Sequence, residues 1–144
     1  MSCIRSWRAG LWSLAAALLI AGSASADEVV LSGQASVRVF SSDAETERTV
    51  LSAAESSKAP LLIMKTSDGG YVWSSREGRR LAHVESGAYH YFIDPRGGGF
   101  VKILDQAVLP EFLRTGEARV QWFETISTEL STITYWGSSE SFNP

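Results

Sequence analysis

The feature that most constrains the fold is a series of short apolar segments separated by glycine-containing turns, which occupies residues 61–105. The turns are Asp-Gly-Gly, Glu-Gly-Arg, Ser-Gly and Pro-Arg-Gly-Gly-Gly. Short segments rich in β-branched and aromatic residues, bounded by turns of this kind, are typical of consecutive antiparallel strands. The series therefore predicts about four or five strands in a meander, with the rest of the chain fitted around them.

The turn lengths also predict which side chains share a face, because directly opposed residues of paired strands point to the same side of a sheet. We assume a four-residue loop before Tyr71 and two-residue turns at residues 77–78 and 86–87. One face is then apolar and aromatic, and we expect it to be the core: Leu62, Met64, Tyr71, Trp73, Ala82, Val84, Tyr89, Tyr91 and Ile93. The opposite face is mixed, and it carries both histidines of the chain.

The segments that flank the meander predict a further strand and one or two helices. Residues 28–40 are rich in valine and predict one strand interrupted at Gly33, or two short strands. Residues 42–45 have the Ser-x-x-Glu spacing of a capping box, which favours a surface helix over residues 42–58, with a loop as the alternative. A short helix is predicted within residues 105–116, because a proline near its start and a glycine at its end fit helix termini.

The C-terminal part predicts a last hairpin followed by a tail. Its two strands are expected over residues 118–126 and 130–136. Alternation places three apolar side chains of the first strand on one face: Val120, Trp122 and Ile126. Residues 137–144 are mostly polar, and we expect them to form a frayed C-terminal tail.

The N-terminal residues 1–26 have the pattern of a signal peptide. Arg5 and Arg8 supply positive charge, residues 11–21 form an apolar core, and Ala24-Ser25-Ala26 is a small-x-small cleavage site. The apolar core is too short to span a bilayer as a helix, which needs about 20 residues. We therefore expect an exported protein, periplasmic or secreted, with no transmembrane span after the signal is removed.

The mature chain is predicted to be one cysteine-free domain over residues 27–136, followed by the tail. The only cysteine of the full sequence, Cys3, lies inside the signal, so neither a disulfide nor thiolate chemistry is expected in the mature chain. Removing the signal changes the formal net charge from −3 to −5, because it removes two arginines and no acidic residue. The mature chain is acidic and its basic residues are not clustered, which argues against nucleic acid as a general partner.

Two histidines and a carboxylate form a candidate metal site. In the predicted register His83 and His90 lie directly opposite one another, and Glu85 lies two residues along the same face. Imidazole nitrogens and a carboxylate oxygen are ligands for zinc or copper, and histidines also transfer protons near neutral pH. The alternative is two ordinary histidines on a half-exposed face.

Four arginines in two turns form a candidate ligand-binding site for an anion. They are Arg76, Arg79, Arg80 and Arg96. In a meander the turn at residues 77–78 and the loop at residues 94–99 lie at the same end of the sheet, so their guanidinium groups can converge on a carboxylate, phosphate or sulfate. The alternative is a set of solvated arginines that pair with nearby acidic residues.

The fold predicted from these features is mainly antiparallel β, with α+β possible: a meander that curls into a half-barrel or small barrel with one or two short helices. The many aromatic residues predict either a packed core or a cavity for an apolar or sugar-like ligand. The leading functional hypothesis is a non-catalytic module that binds a small ligand or an envelope protein partner. One alternative is a small hydrolase or metal-dependent enzyme that uses His83, His90 and nearby acids. Another is an accessory subunit that docks through a sheet edge. The sequence identifies no cofactor.

Overall fold

A computed structural model describes residues 27–116 and 118–144, and the predicted signal peptide lies outside the described residues. The described chain forms one nine-stranded antiparallel sheet. Its strands are β1 Glu28–Ser42, β2 Thr46–Val50, β3 Pro60–Lys65, β4 Tyr71–Trp73, β5 Arg79–Ser86, β6 Tyr89–Ile93, β7 Gly99–Asp105, β8 Val120–Ser127 and β9 Ser131–Ser139.

The sheet closes into an eight-stranded barrel because the last strand pairs with the first. β3 to β9 follow one another as neighbours, β1 pairs with β3 on one side, and β9 pairs with β1 on the other. β2 is an extra strand that pairs with the second half of β1 and lies outside the closed ring. The predicted meander that curls into a small barrel is therefore confirmed. No helix in the described residues has the length and apolar character needed to cross a membrane.

The predicted helix over residues 42–58 is wrong over most of its length. The Ser42 hydroxyl accepts hydrogen bonds from the backbone N–H groups of Ala44 and Glu45, but it does so in the turn of the β1–β2 hairpin. A serine oxygen can satisfy amides in a turn as well as at a helix start, so the spacing alone does not separate the two. The one α-helix of the described chain, α1 Ala53–Ser56, begins at a second capping box formed by Ser52 and Glu55.

The helix predicted within residues 105–116 is reduced to two 3-10 turns, Gln106–Val108 and Glu111–Leu113. The predicted frayed tail is also wrong. β9 extends to Ser139, and the Phe142 ring is fully buried where it bridges to Leu31 of β1. This buried ring and a hydrogen bond from the backbone N–H of Asn143 to the carbonyl of Val30 hold the segment against the barrel.

The predicted core face is wrong because the turns on both sides of β4 differ in length from those assumed. The β3–β4 loop has three residues between Thr66 and Gly70, whose backbone groups are hydrogen-bonded, where four were assumed. The β4–β5 loop has five residues between Trp73 and Arg79, where two were assumed. Each difference is an odd number of residues, and an odd slip turns a strand over relative to its neighbour.

The correction places the predicted aromatic face on two different walls of the barrel. Tyr71 and Trp73 lie on the inner wall, whereas Tyr89 and Tyr91 lie on the outer wall. In β3, β5 and β6 the side chains that line the inner wall are those of the face that was predicted to be mixed. The fully buried apolar residues of the inner wall include Leu61, Ile63, Trp73, Phe92, Val101, Ile103 and Val120. An eight-stranded barrel is just wide enough for side chains of this size to fill it.

Candidate functional site

The two histidines meet on the inner wall of the barrel. Glu85 pairs with His90 and His83 pairs with Phe92, so the histidines are diagonal neighbours and not directly opposed as predicted. Their rings are parallel within 3°, and Nε2 of His83 lies 3.1 Å from Nδ1 of His90. At this distance one ring nitrogen donates a hydrogen to the other, which requires complementary tautomers of the two imidazoles.

Aromatic rings enclose the histidine pair. The His83 ring stacks on Phe92 at 4.5 Å, and the His90 ring meets the edge of Phe142 from the C-terminal segment at 4.7 Å. Burial lowers the pKa of His83, and the nearby charge of His90 lowers it further. A positive charge on His90 therefore disfavours a second proton on His83.

The predicted metal site is only partly assembled. His83 and His90 provide two nitrogens, but nowhere in residues 27–116 and 118–144 do three His, Cys, Asp or Glu side chains come close enough to hold a metal ion. Glu85 shares the face of the pair and is exposed to solvent. Structural zinc usually has four protein ligands and catalytic zinc three. The metal hypothesis stays a prediction without a third ligand.

A buried carboxylate that the sequence analysis did not single out lies on the inner wall of β8. Glu124 is 1% exposed, and it accepts hydrogen bonds from Trp73 Nε1 at 2.8 Å and from Arg76 Nη2 at 2.6 Å. Burial raises the pKa of Glu124, and the charge of Arg76 partly offsets that rise. The signal for its position was present, because alternation from Val120 and Trp122 places residue 124 on the same buried face.

Three of the four predicted arginines line one cavity, which we call the arginine pocket. It lies between the β4–β5 and β6–β7 loops and has a volume of about 430 Å³. Its lining residues are Glu77, Gly78, Arg79, Arg80, Asp94, Arg96 and Gly98. Arg76 does not line it, because its guanidinium group is bound to Glu124 on the inner wall. The two loops thus meet at one end of the sheet, as expected from the order of the strands.

A second cavity, which we call the outer groove, lies on the outer wall over β7, β8, β9 and β1. Its volume is about 490 Å³, and the residues lining it include Val37, Tyr89, Lys102, Leu104, Phe123 and Trp136. Strand register places four of these, from neighbouring strands, in one row across the wall: Lys102, Phe123, Trp136 and Val37. Exposed apolar surface bordered by polar residues, as in this groove, can mark a binding site.

Lys102 is the charged group of the outer groove. Its Nζ lies 4.3 Å from the ring centroid of Tyr89, 5.5 Å from that of Phe123 and 5.6 Å from that of Tyr91. The ion pairs of the described residues, which involve Arg76, Arg79, Arg80 and Arg119, do not include it. Lys102 was not predicted as a site residue, because the side chains around it come from several strands whose register the sequence does not give.

The comparisons with known proteins add no family to this geometry. Neither a protein-family model, nor a curated protein sequence, nor a solved structure matches the chain significantly.

Proposed function

We propose that this chain is an exported, non-catalytic binding module, whose outer groove takes a small ligand with a flat apolar ring and an acidic group. The observation that carries the proposal is the outer groove itself, in which one lysine lies among aromatic rings and two of the lining aromatic side chains are exposed. Trp136 is 51% exposed and Tyr89 is 39% exposed, although each would gain from leaving water. A ring-shaped ligand that covers these two side chains removes that apolar surface from solvent.

The acidic group of the ligand is inferred from Lys102. An ammonium group carries three N–H donors, and aromatic faces satisfy its charge but accept hydrogen bonds only weakly. The three rings around Lys102 also reduce its contact with water, which strengthens its attraction to an anion. A carboxylate at this position gains a charge-assisted hydrogen bond while the ligand ring lies on Trp136 or Phe123.

The size and lining of the outer groove fit a small molecule. Small-molecule sites typically measure about 300–1,000 Å³ and combine aromatic walls with a few polar groups. The outer groove, at about 490 Å³, falls in this range and has Ser36, Gln121 and Ser138 among its polar lining residues. The barrel interior, in contrast, is occupied by side chains such as Trp73, Phe92 and Trp122.

Isothermal titration calorimetry with two matched probes tests the proposal. Naphthoate has a flat ring and a carboxylate, and naphthylmethanol has the same ring without the charge. We expect naphthoate to bind more tightly, and Lys102→Gln to weaken naphthoate by roughly tenfold while changing naphthylmethanol little. Trp136→Ala is expected to weaken both probes, because it removes the stacking surface.

Lys58→Gln is the matched control, since Lys58 is an exposed lysine outside the outer groove. It removes the same charge and is expected to leave both affinities unchanged. The proposal fails if neither probe binds at millimolar concentration. It also fails if Lys102→Gln and Lys58→Gln weaken naphthoate equally, because general charge and not the groove then controls binding.

The two alternative functions stay predictions, and the geometry favours them less. An enzyme that uses His83 and His90 needs its substrate to reach the inner wall, where His90 is 5% exposed. A subunit that docks through a sheet edge would use β2, which pairs only with β1 among the described strands. Glu47 and Arg48 lie on that edge, and charged side chains on an edge strand discourage pairing with another chain.

A further inference from the structure

The arginine pocket is separate from the outer groove, and the two share no lining residue. Two of its three arginines, Arg79 and Arg80, are paired with carboxylates. Arg79 Nη1 lies 3.4 Å from the buried carboxylate of Asp94, and Arg79 Nη2 lies 3.8 Å from Glu77. Arg80 forms two hydrogen bonds with Asp68, of which the shorter is 2.9 Å.

Gly98 in the loop at residues 94–99 leaves room for this arrangement. A Cβ at Gly98 would come within 3.0 Å of both Arg79 Nη1 and Asp94 Oδ2, so a side chain there would displace one of these two groups. Asp94 also accepts a hydrogen bond from the backbone N–H of Arg96 at 2.9 Å, which fixes the loop that carries Arg96. The Pro-Arg-Gly-Gly-Gly sequence thus builds one wall of the pocket.

The opposite wall contains an unusual backbone conformation. Glu77 has a φ of 58°, the only positive φ at a non-glycine residue in residues 27–116 and 118–144, and Gly78 after it has a φ of 65°. A left-handed backbone conformation is energetically costly for a non-glycine residue, and such residues are concentrated at ligand sites. The β4–β5 loop adopts this unfavourable conformation and places Glu77 beside Arg79.

The charges around the pocket leave one guanidinium group without a carboxylate. Arg79 and Arg80 have acidic partners, but Arg96 is exposed and forms no ion pair with a carboxylate of the described residues. Each guanidinium group has five N–H donors, and the pairs formed by Arg79 and Arg80 use only some of them. Arg79, Arg80 and Arg96 line a single cavity of about 430 Å³, although the guanidinium group of Arg80 is paired with Asp68, which is not one of the lining residues.

From this geometry we infer that the arginine pocket binds the phosphate or sulfate group of a small ligand, at a site distinct from the outer groove. A tetrahedral oxyanion offers several acceptor oxygens, and arginine forks match such oxygens in pairs. A carboxylate offers fewer oxygens, and the buried carboxylate of Asp94 already pairs with Arg79. The volume leaves room beside the anion for the group to which it is esterified.

Isothermal titration calorimetry of the purified protein tests this inference with five probes: inorganic phosphate, inorganic sulfate, glycerol phosphate, glycerol sulfate and glycerol. We expect the two esters to bind, the free ions to bind more weakly, and glycerol not to bind. Arg96→Gln should weaken the esters by roughly tenfold, since it removes one charge-assisted contact. Arg96 is exposed, so this variant is expected to fold normally.

Two further variants make the result specific. Arg48→Gln removes an exposed arginine of β2 that does not line the pocket, and it should leave ester binding unchanged. Lys102→Gln, which affects the outer groove, should also leave it unchanged, so the two sites can fail separately. The inference is overturned if no oxyanion binds at millimolar concentration, or if Arg96→Gln and Arg48→Gln have the same effect.

Discussion

The inner and outer walls of the barrel carry similar kinds of side chain but satisfy their polar groups differently. On the inner wall, the Glu124 carboxylate is bound by both Trp73 and Arg76. On the outer wall, Lys102 has aromatic rings around it and no carboxylate partner among the described residues. Polar groups that bind one another hold the fold together, whereas a charge left without an opposite charge is available to a ligand.

The comparison predicts that the largest loss of stability comes from the inner wall. Glu124→Leu should lower the free energy of unfolding by about 3 kcal/mol, because it leaves the Arg76 charge and the Trp73 N–H without their partner. Chemical denaturation monitored by tryptophan fluorescence measures this change. Glu124→Gln keeps an acceptor for Trp73 and should cost less. If Glu124→Leu proves as stable as the wild type, the inner wall does not depend on this cluster.

The histidine pair should make the inner wall sensitive to acid. Because the pKa of His83 is lowered in the folded state, the unfolded chain takes up a proton first as the pH falls below about 6.5. Stability is therefore fully present above that pH and decreases as the pH falls toward the lowered pKa. Since His83 is partly exposed, we expect a loss below about 1 kcal/mol.

Denaturation curves at several pH values between neutrality and mild acid measure this loss. The His83→Gln variant removes the titrating group and should show a flatter dependence of stability on pH in this range. Carboxylates that titrate at lower pH are common to both proteins. An identical slope for the variant and the wild type would exclude the histidine pair as the cause.

The smallest effect on stability is expected from the outer wall. Trp136 is half-exposed, so Trp136→Ala should change the free energy of unfolding by about 0.5 kcal/mol or less, although it removes the stacking surface of the outer groove. The same denaturation experiment tests this. A loss as large as that of Glu124→Leu would mean that the outer row of aromatic residues holds the barrel together, and the contrast between the two walls would disappear.

The fold class was predictable because it depends on features that are local in the sequence. Glycine turns such as the one at Gly87 separate apolar segments, and this pattern fixes the number and order of the strands of the meander. The side chains of β5 and β6 that share a face were also predicted correctly. The predicted pairing of these strands was wrong by two residues, and an even slip leaves the faces unchanged. The histidines therefore came together as expected.

The core face was not predictable from the same information. It depends on whether the loop after Thr66 has three or four residues, and Gly69 and Gly70 allow either length. The outer groove was harder to predict than the core face. Val37 and Lys102 belong to one row of side chains only because β1 pairs with β9 when the barrel closes. The arginine pocket was easier to predict. Neighbouring hairpin loops at one end of a meander come together regardless of the strand register.

Closure of the barrel through β1 and β9 has a consequence for how the chain folds. Ser36 and Trp136, which are hydrogen-bonded across this seam, lie 100 residues apart in the sequence. Contacts between such distant residues cost much loop entropy before they form, and proteins rich in them fold on the millisecond-to-second timescale. Until the seam forms, β1 and β9 each present an open edge on which a second chain can pair, so a helper that shields these edges would raise the yield of folded protein.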